Sequence, residues 1–399
     1  MKRRIVSALL ALCLACSLGA CNGKEEKKEA VKTDKVEKVE ETEKDPEELA
    51  MEKKLELIEP AAYRNAKGLN LEPGSYISVL GKGSSGEYWE EVKKGVKQAE
   101  KDLNKELGYE GSDKIKVTYS GPEEKDDIDE QVNILDEEIA RYPVAIAIAI
   151  ADVQACEVQF DLATENGIPL VAFDSGSGYK GLAATVTSEN KSAAKDVADA
   201  LGKEIQKKGK VIMFVHDSKS QAAADREAGF REEIEKKFPD IKIVKTVYTD
   251  DLTKTREKLA EKKNVQNEIE GIEETFTADD ITVEEAIDSI LEKHPDLKGC
   301  FATNGDAMKI ALAALERQEK TDVKVVGFDA NADEIEALKE GKIQGLMVQN
   351  PFGMGYASVI AAARAALFLG NEAFVDTGCT WVTQSNLQTK AVQNILYFN

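Results

Sequence analysis

From Ser75 onward, short β-rich runs alternate with amphipathic stretches of helical period. This alternation constrains the fold most, because it predicts parallel sheets covered by helices. The first cycle shows the logic. Ser75 to Leu80 is strand-like and ends in a Gly/Ser loop; Val92, Val96, Ala99, Leu103 and Leu107 then recur at intervals of three or four, and Gly108 supplies a helix stop.

Further strands are expected at Ile115 to Tyr119, Val144 to Ile150 and Ile168 to Phe173, with Ile128, Val132, Leu135 and Ile139 marking a helix face between the first two. The near-continuous apolar run of Val144 to Ile150 suits a central strand buried on both faces. A second series follows at Lys210 to Val215, Ile241 to Val247, Leu297 to Ala302, Val323 to Phe328 and Ile343 to Val348. Two sheets of similar size are implied, which agrees with 399 residues being too many for one core. The polar, Glu/Lys-rich stretch Thr253 to Val283 interrupts the rhythm; an extended helix pair and a mobile loop on the second lobe both fit it.

Before the folded part, Met1 to Cys21 carries Lys2, Arg3 and Arg4, the apolar run Ile5 to Leu18, then small residues. That is the three-part layout of a secretory signal, with an apolar run short of the ~20 residues of a membrane span. Leu18-Gly19-Ala20-Cys21 resembles a bacterial lipobox, in which the cysteine is acylated and becomes the new N-terminus. Several acyl chains give stable attachment, each buried methylene contributing ~0.8 kcal/mol. Residues 22–72 are expected to be a charged tether, poor in apolar surface, although Pro46 to Ile58 has a composition compatible with a helix. Cys156, Cys300 and Cys379 then remain in the fold, at spacings that fit neither a disulfide framework nor a metal site, so buried free thiols are expected.

A net charge of −21 excludes a nucleic-acid partner, which needs basic surface to displace counterions. The acidity suits a solvated surface.

In open sheets of this type ligands sit beyond the carboxyl ends of the strands. The residues at those ends are Tyr88 and Trp89, Asp152, Asp174, Asn304 and Asp306, and Asp329. Converging carboxylates, amides and an arginine suit the vicinal hydroxyls of a sugar, and an aromatic face suits its C–H side. Tyr88 and Trp89 equally suit packing of the first helix on its sheet, and Asp174 equally suits a turn.

These residues, with five motifs in order, resemble the ribose/galactose-type periplasmic binding proteins over about Ser75 to Val392. Glu87-Tyr88-Trp89 opens the first helix, and Ile168-Pro169-Leu170-Val171-Ala172-Phe173-Asp174 is similar to the family's strand ending in aspartate. Arg226-Glu227-Ala228-Gly229-Phe230, Phe301-Ala302-Thr303-Asn304-Gly305-Asp306, Val325-Val326-Gly327-Phe328-Asp329 and Val348-Gln349-Asn350-Pro351 follow. The family's Asn-Asp pair is split here by Gly305. The resemblance implies an α/β fold of two doubly wound parallel-sheet lobes joined by a three-stranded hinge. The lobes would be residues 73–174 with 351–377 and residues 175–350 with 378–399, crossed near Asp174–Gly176, Gln349–Pro351 and Asp376–Cys379. It nominates Tyr88, Trp89, Asp152, Arg226, Asp306, Asp329 and Gln349 as ligand contacts, to which the strand ends add Asp174 and Asn304; no metal and no cofactor is expected.

The function expected from this resemblance is a monomeric, lipid-anchored solute-binding protein on the outer face of the cell membrane, which closes on a monosaccharide and hands it to an ABC permease. A ligand-sensing module presenting the closed form to a receptor or histidine kinase uses the same lobes. An enzyme is disfavoured. His216 and His294 are the only histidines, and Gly81-Lys82-Gly83-Ser84-Ser85-Gly86 lacks the ending of a phosphate loop. Sugar-responsive repressors share such lobes but carry a DNA-binding helix pair where this chain has a secretion signal.

Overall fold

The computed structural model describes residues 45–397; the signal segment, Cys21 and the first half of the expected tether lie outside them. In the first half the elements are α1 (Pro46–Glu56), β1 (Tyr76–Leu80), α2 (Glu87–Leu107), β2 (Lys116–Ser120), α3 (Ile128–Ala140), β3 (Ala145–Ile148), α4 (Glu157–Glu165), β4 (Leu170–Phe173) and β5 (Leu182–Thr187). There follow α5 (Asn190–Glu204), β6 (Gly209–Val215), α6 (Gln221–Lys237), β7 (Ile241–Tyr248), α7 (Thr253–Glu270), α8 (Val283–Leu291), β8 (Leu297–Ala302), α9 (Gly305–Arg317), β9 (Lys324–Phe328), α10 (Ala332–Lys339) and β10 (Gly345–Gln349). The chain closes with α11 (Pro351–Ala366), β11 (Phe374–Asp376), β12 (Cys379–Val382) and α12 (Lys390–Gln393).

Two six-stranded sheets form, in the orders β11-β5-β4-β3-β1-β2 and β12-β10-β9-β8-β6-β7. All pairings are parallel except β12 against β10. Apart from the edges β11 and β12, the two lobes repeat one doubly wound order, so β1 corresponds to β6, β3 to β8, β4 to β9 and β5 to β10. The expected two-sheet α/β architecture is therefore present.

Amphipathic spacing explains the helical layer. On α2 the buried positions Val92, Val96, Ala99 and Leu103 share one face, and Gly108 ends the helix in the left-handed region at φ +68°. That face meets α11. A Cβ on Gly95 would lie 2.0 Å from the Phe352 carbonyl oxygen, and one on Gly355 2.1 Å from that of Val92, so two glycines let the backbones touch. In the second lobe Phe230 stacks on Phe301 with ring centroids 4.2 Å apart, tying α6 to β8.

Three expectations change. The tether expected to run to residue 72 is docked from Pro46 onward: Ile58, Tyr63, Ala66, Leu69 and Leu71 are buried in the first lobe's core. Their irregular spacing hides them from a search for periodicity. The first crossing lies after Thr187 rather than at Asp174–Gly176, because β5 pairs in parallel with β4 in the first sheet before α5 enters the second lobe. The stretch Thr253 to Val283 is one helix and an ordered return. The Asn264 side chain makes two bonds to the Phe276 backbone, 2.6 and 2.8 Å, and Arg256 Nε donates to the Ile281 carbonyl at 2.6 Å. Cys156, Cys300 and Cys379 are free, the first two buried, and burial pushes Cys156 and Cys379 up to about 12.

Candidate functional site

A cavity of about 320 Å³ lies between the lobes, at the carboxyl ends of strands from both sheets. Of the nine residues expected to contact ligand, it brings together Tyr88, Trp89, Asp174, Arg226, Asn304, Asp306, Asp329 and Gln349. Asp152 does not line it. Its carboxylate accepts from the Gln154 and Ala155 backbone N–H groups at 2.8 and 3.1 Å, so it caps a local turn beyond β3.

The second lobe builds its wall around Arg226, which is 3% exposed. Ser220 caps α6, which places Arg226 over the strand ends with its guanidinium 4.2 Å from the centroid of the Phe328 ring. Nε donates to Asn190 Oδ1 at 2.8 Å, one terminal nitrogen to the Thr303 carbonyl at 2.7 Å and the other to Gln349 Oε1 at 2.7 Å. Gln349 Nε2 in turn donates to Asp329 Oδ1 at 2.6 Å, and the Gly305 N–H donates to Asp329 Oδ2 at 3.1 Å. The roughly four lone-pair sites of the carboxylate and the five N–H groups of the guanidinium exceed the partners found, leaving both groups capacity toward the cavity. Asn304 Oδ1 caps α9 by accepting from the Ala307 N–H at 2.8 Å.

From the first lobe, the Tyr88 hydroxyl donates to Asp174 Oδ1 at 2.6 Å, and Lys82 Nζ stands 3.5 Å from Asp174 Oδ2. Burial first, then Asp174 and Asp329, raises the Tyr88 phenol well above its ordinary value, so it stays a neutral donor. Trp89 is both core and lining. It packs edge-on against Phe173 and Tyr88, with centroids 6.4 and 5.2 Å away.

The lobes meet across the cavity. Lys125 pairs with Asp306, the Ala332 N–H donates to Glu87 Oε2 at 3.0 Å, and the Tyr88 and Tyr397 rings stand edge to face at 6.0 Å. Burial would lower Lys125, but Asp306 and Asp126 overcome it and raise its proton affinity. His216 Nδ1 lies 2.7 Å from Thr303 Oγ1, and burial depresses its proton affinity well below normal against the pull of Asp217. Lys82, Lys125, His216, Asn331 and Tyr397 were not anticipated. Lysines in a polar loop look like solvated charge, and Tyr397 lies far along the chain from every strand-end motif.

The family model of the periplasmic binding protein domain matches residues 77–272 and 253–371. The chain belongs to this family. Membership places this periplasmic binding protein among solute-binding proteins rather than enzymes. It is 26% identical to a D-apiose import binding protein of Paraburkholderia graminis, over 71% of this chain and 80% of that one. It is 24% identical to a ribose import binding protein of Escherichia coli, over 50% of this chain and 58% of that one. A solved carbohydrate transporter solute-binding protein from Agrobacterium radiobacter in complex with D-arabinose superposes with a TM-score of 0.64 at 25% identity, covering 81% of this chain and 98% of that one.

Proposed function

We propose that this protein is the extracytoplasmic binding component of an ABC importer and that its cavity closes on one uncharged monosaccharide, with pentoses the first candidates. The observation that carries this is that the cations lining the cavity are matched by carboxylates, with acidic side chains in excess. Lys82 faces Asp174, Lys125 faces Asp306, and Gln349 links Arg226 to Asp329. A ligand bearing a phosphate or carboxylate finds no surplus cation there, whereas a polyol finds both donors and acceptors. The volume suits one sugar ring, at the small end of ligand pockets. The sugars named for the three relatives above, apiose, ribose and arabinose, are neutral pentoses, and other neighbours are named for neutral hexoses or a polyol.

In this reading Asp174, Arg226, Asp329 and Gln349 hold hydroxyl groups, Tyr88 and Trp89 border the ring, and the two lobes close around it to present one shape to a permease. Charge-assisted bonds contribute ~1.5–3 kcal/mol each, enough for micromolar affinity after ordering costs. Attachment through an acylated Cys21 and a monomeric state belong to the same proposal. A thermal-shift screen of the chain lacking residues 1–21, against neutral pentoses, hexoses, polyols, nucleosides and amino acids, tests the ligand class, since a solute bound only by the folded state raises the melting point. A shift with a neutral sugar supports the reading; shifts confined to amino acids or nucleosides replace the cargo.

A further inference from the structure

The three chain crossings between the lobes are tied to one another and to a segment that precedes both. At the first and third crossings the Thr377 N–H donates to the Thr187 carbonyl at 3.0 Å, and Ser188 Oγ donates to the Gly378 carbonyl at 3.3 Å. At the second, Asn350 Nδ2 donates to the Thr377 carbonyl at 2.9 Å and to the Lys54 carbonyl of α1 at 2.8 Å, while its Oδ1 caps α11 through the Gly353 N–H at 2.9 Å. Both amide hydrogens of Asn350 are used, and one of its partners lies on the segment that precedes β1.

The segment holding that partner is fastened on either side. The Lys54 ammonium pairs with the buried Glu91 of α2 and lies 5.8 Å from the Phe352 ring centroid. Glu59 and Asp376 exchange two backbone hydrogen bonds, 2.7 and 2.9 Å, immediately before the third crossing. Leu57 packs against the second lobe's core, whereas Leu55 and Ile58 pack against the first lobe's. Gly378, at φ +76°, lets Leu57 approach; a Cβ there would lie 3.0 Å from that of Leu57.

We infer that residues 54–59 are a strap that sets the angle of the hinge, with Lys54, Leu57 and Asn350 as positioning residues for the binding site. The route to the ligand is one residue long. Asn350 follows Gln349, whose side chain joins Arg226 to Asp329 on the cavity wall, so fixing the backbone at Asn350 fixes that junction. Because Leu57 touches one lobe and its neighbours the other, the strap favours the arrangement in which both contacts coexist. Loosening it lowers the fraction of molecules in the closed, binding-competent form, and apparent affinity falls by that fraction. This inference rests on the reading of the cleft as a closing solute trap.

The test uses the full chain carrying Leu57→Ser, which alters no cavity residue and leaves in place the backbone N–H through which Leu57 caps the end of α1, alongside Lys54→Met and the conservative Lys54→Arg. Small-angle scattering of the sugar-free protein reads the hinge without needing any ligand. The expected result is a larger radius of gyration for Leu57→Ser and Lys54→Met, a still cooperative melting curve, and Lys54→Arg close to the parent. With D-arabinose or D-ribose as probe, the dissociation rate is expected to rise on the order of tenfold in the same two variants. A lowered melting point with unchanged radius and unchanged dissociation rate would reduce the strap to a stability element and overturn the inference. Failure of the parent to bind any sugar would sink the ligand assignment while the scattering result still decides the strap.

Discussion

Asp174 and Asp329 occupy the same place in the two lobes. Each follows the corresponding strand, β4 or β9, each has left-handed backbone (φ +58° and +77°), and each donates its N–H to the next strand, at the Val186 and Met347 carbonyls, both 3.0 Å. The duplicated fold thus aims one carboxylate from each side at the cavity. Aspartate tolerates this conformation better than most residues, because its short polar side chain suits the left-handed region.

Asparagine shares that tolerance, but its amide nitrogen would face either Gln349 Nε2 or the Gly305 N–H, so Asp329→Asn is expected to lower stability by about 1 kcal/mol while weakening sugar binding by on the order of a hundredfold, the loss of one strong charge-assisted contact. Asp329→Val, forced into the left-handed region, is expected to cost about 1–3 kcal/mol of stability as well. Calorimetric titration with parallel thermal melts separates the two effects.

Arg226→Lys keeps the charge and discards the fork. With one ammonium unable to reach Asn190, Thr303 and Gln349 together, binding is expected to be largely lost and stability to fall by about 1–3 kcal/mol, the cost of buried acceptors left without donors. Urea unfolding and titration with one neutral sugar check both parts.

The Lys125 and Asp306 side chains are 40% and 62% exposed, so their pairing across the cleft is worth only about 0.2–1 kcal/mol. Lys125→Met is accordingly expected to raise the sugar dissociation rate a few-fold at most, with the difference from the parent shrinking as salt rises. Stopped-flow dissociation at two ionic strengths reads this.

His216 has its proton affinity depressed in the fold by burial, so below about pH 6.5 the unfolded chain binds a proton that the folded chain refuses. Stability from this residue is therefore present above that pH and is lost as pH falls. His216→Gln is expected to flatten the melting-point profile between about pH 6.5 and 5. A mutant profile parallel to the parent's in that window would exclude the effect.

Much of this was legible in the sequence because period and burial coincide. The run Val144 to Ile150 is apolar at every position and lies in the middle of its sheet. β5 escaped notice because Leu182–Thr187 is half-buried and follows a Gly/Ser loop, and β11 and β12 because three or four residues show no period. The docked strap was hidden since α1 buries only Lys54, its attachment coming from backbone bonds and scattered apolar residues. At the site, the family resemblance supplied Arg226 and Gln349, and the strand-end rule found six other lining residues. It also selected Asp152, because it specifies where a side chain starts and not whether its own backbone will claim it.

The most direct measurement is calorimetric titration of the sugar-free protein with D-arabinose and D-ribose and, separately, with the corresponding pentose phosphates. The expected result is one site per chain with micromolar affinity for a neutral pentose and no detectable heat of binding from its phosphate. Tighter binding of the phosphate, or no binding of any neutral sugar, would contradict the cavity without a surplus cation on which the function rests.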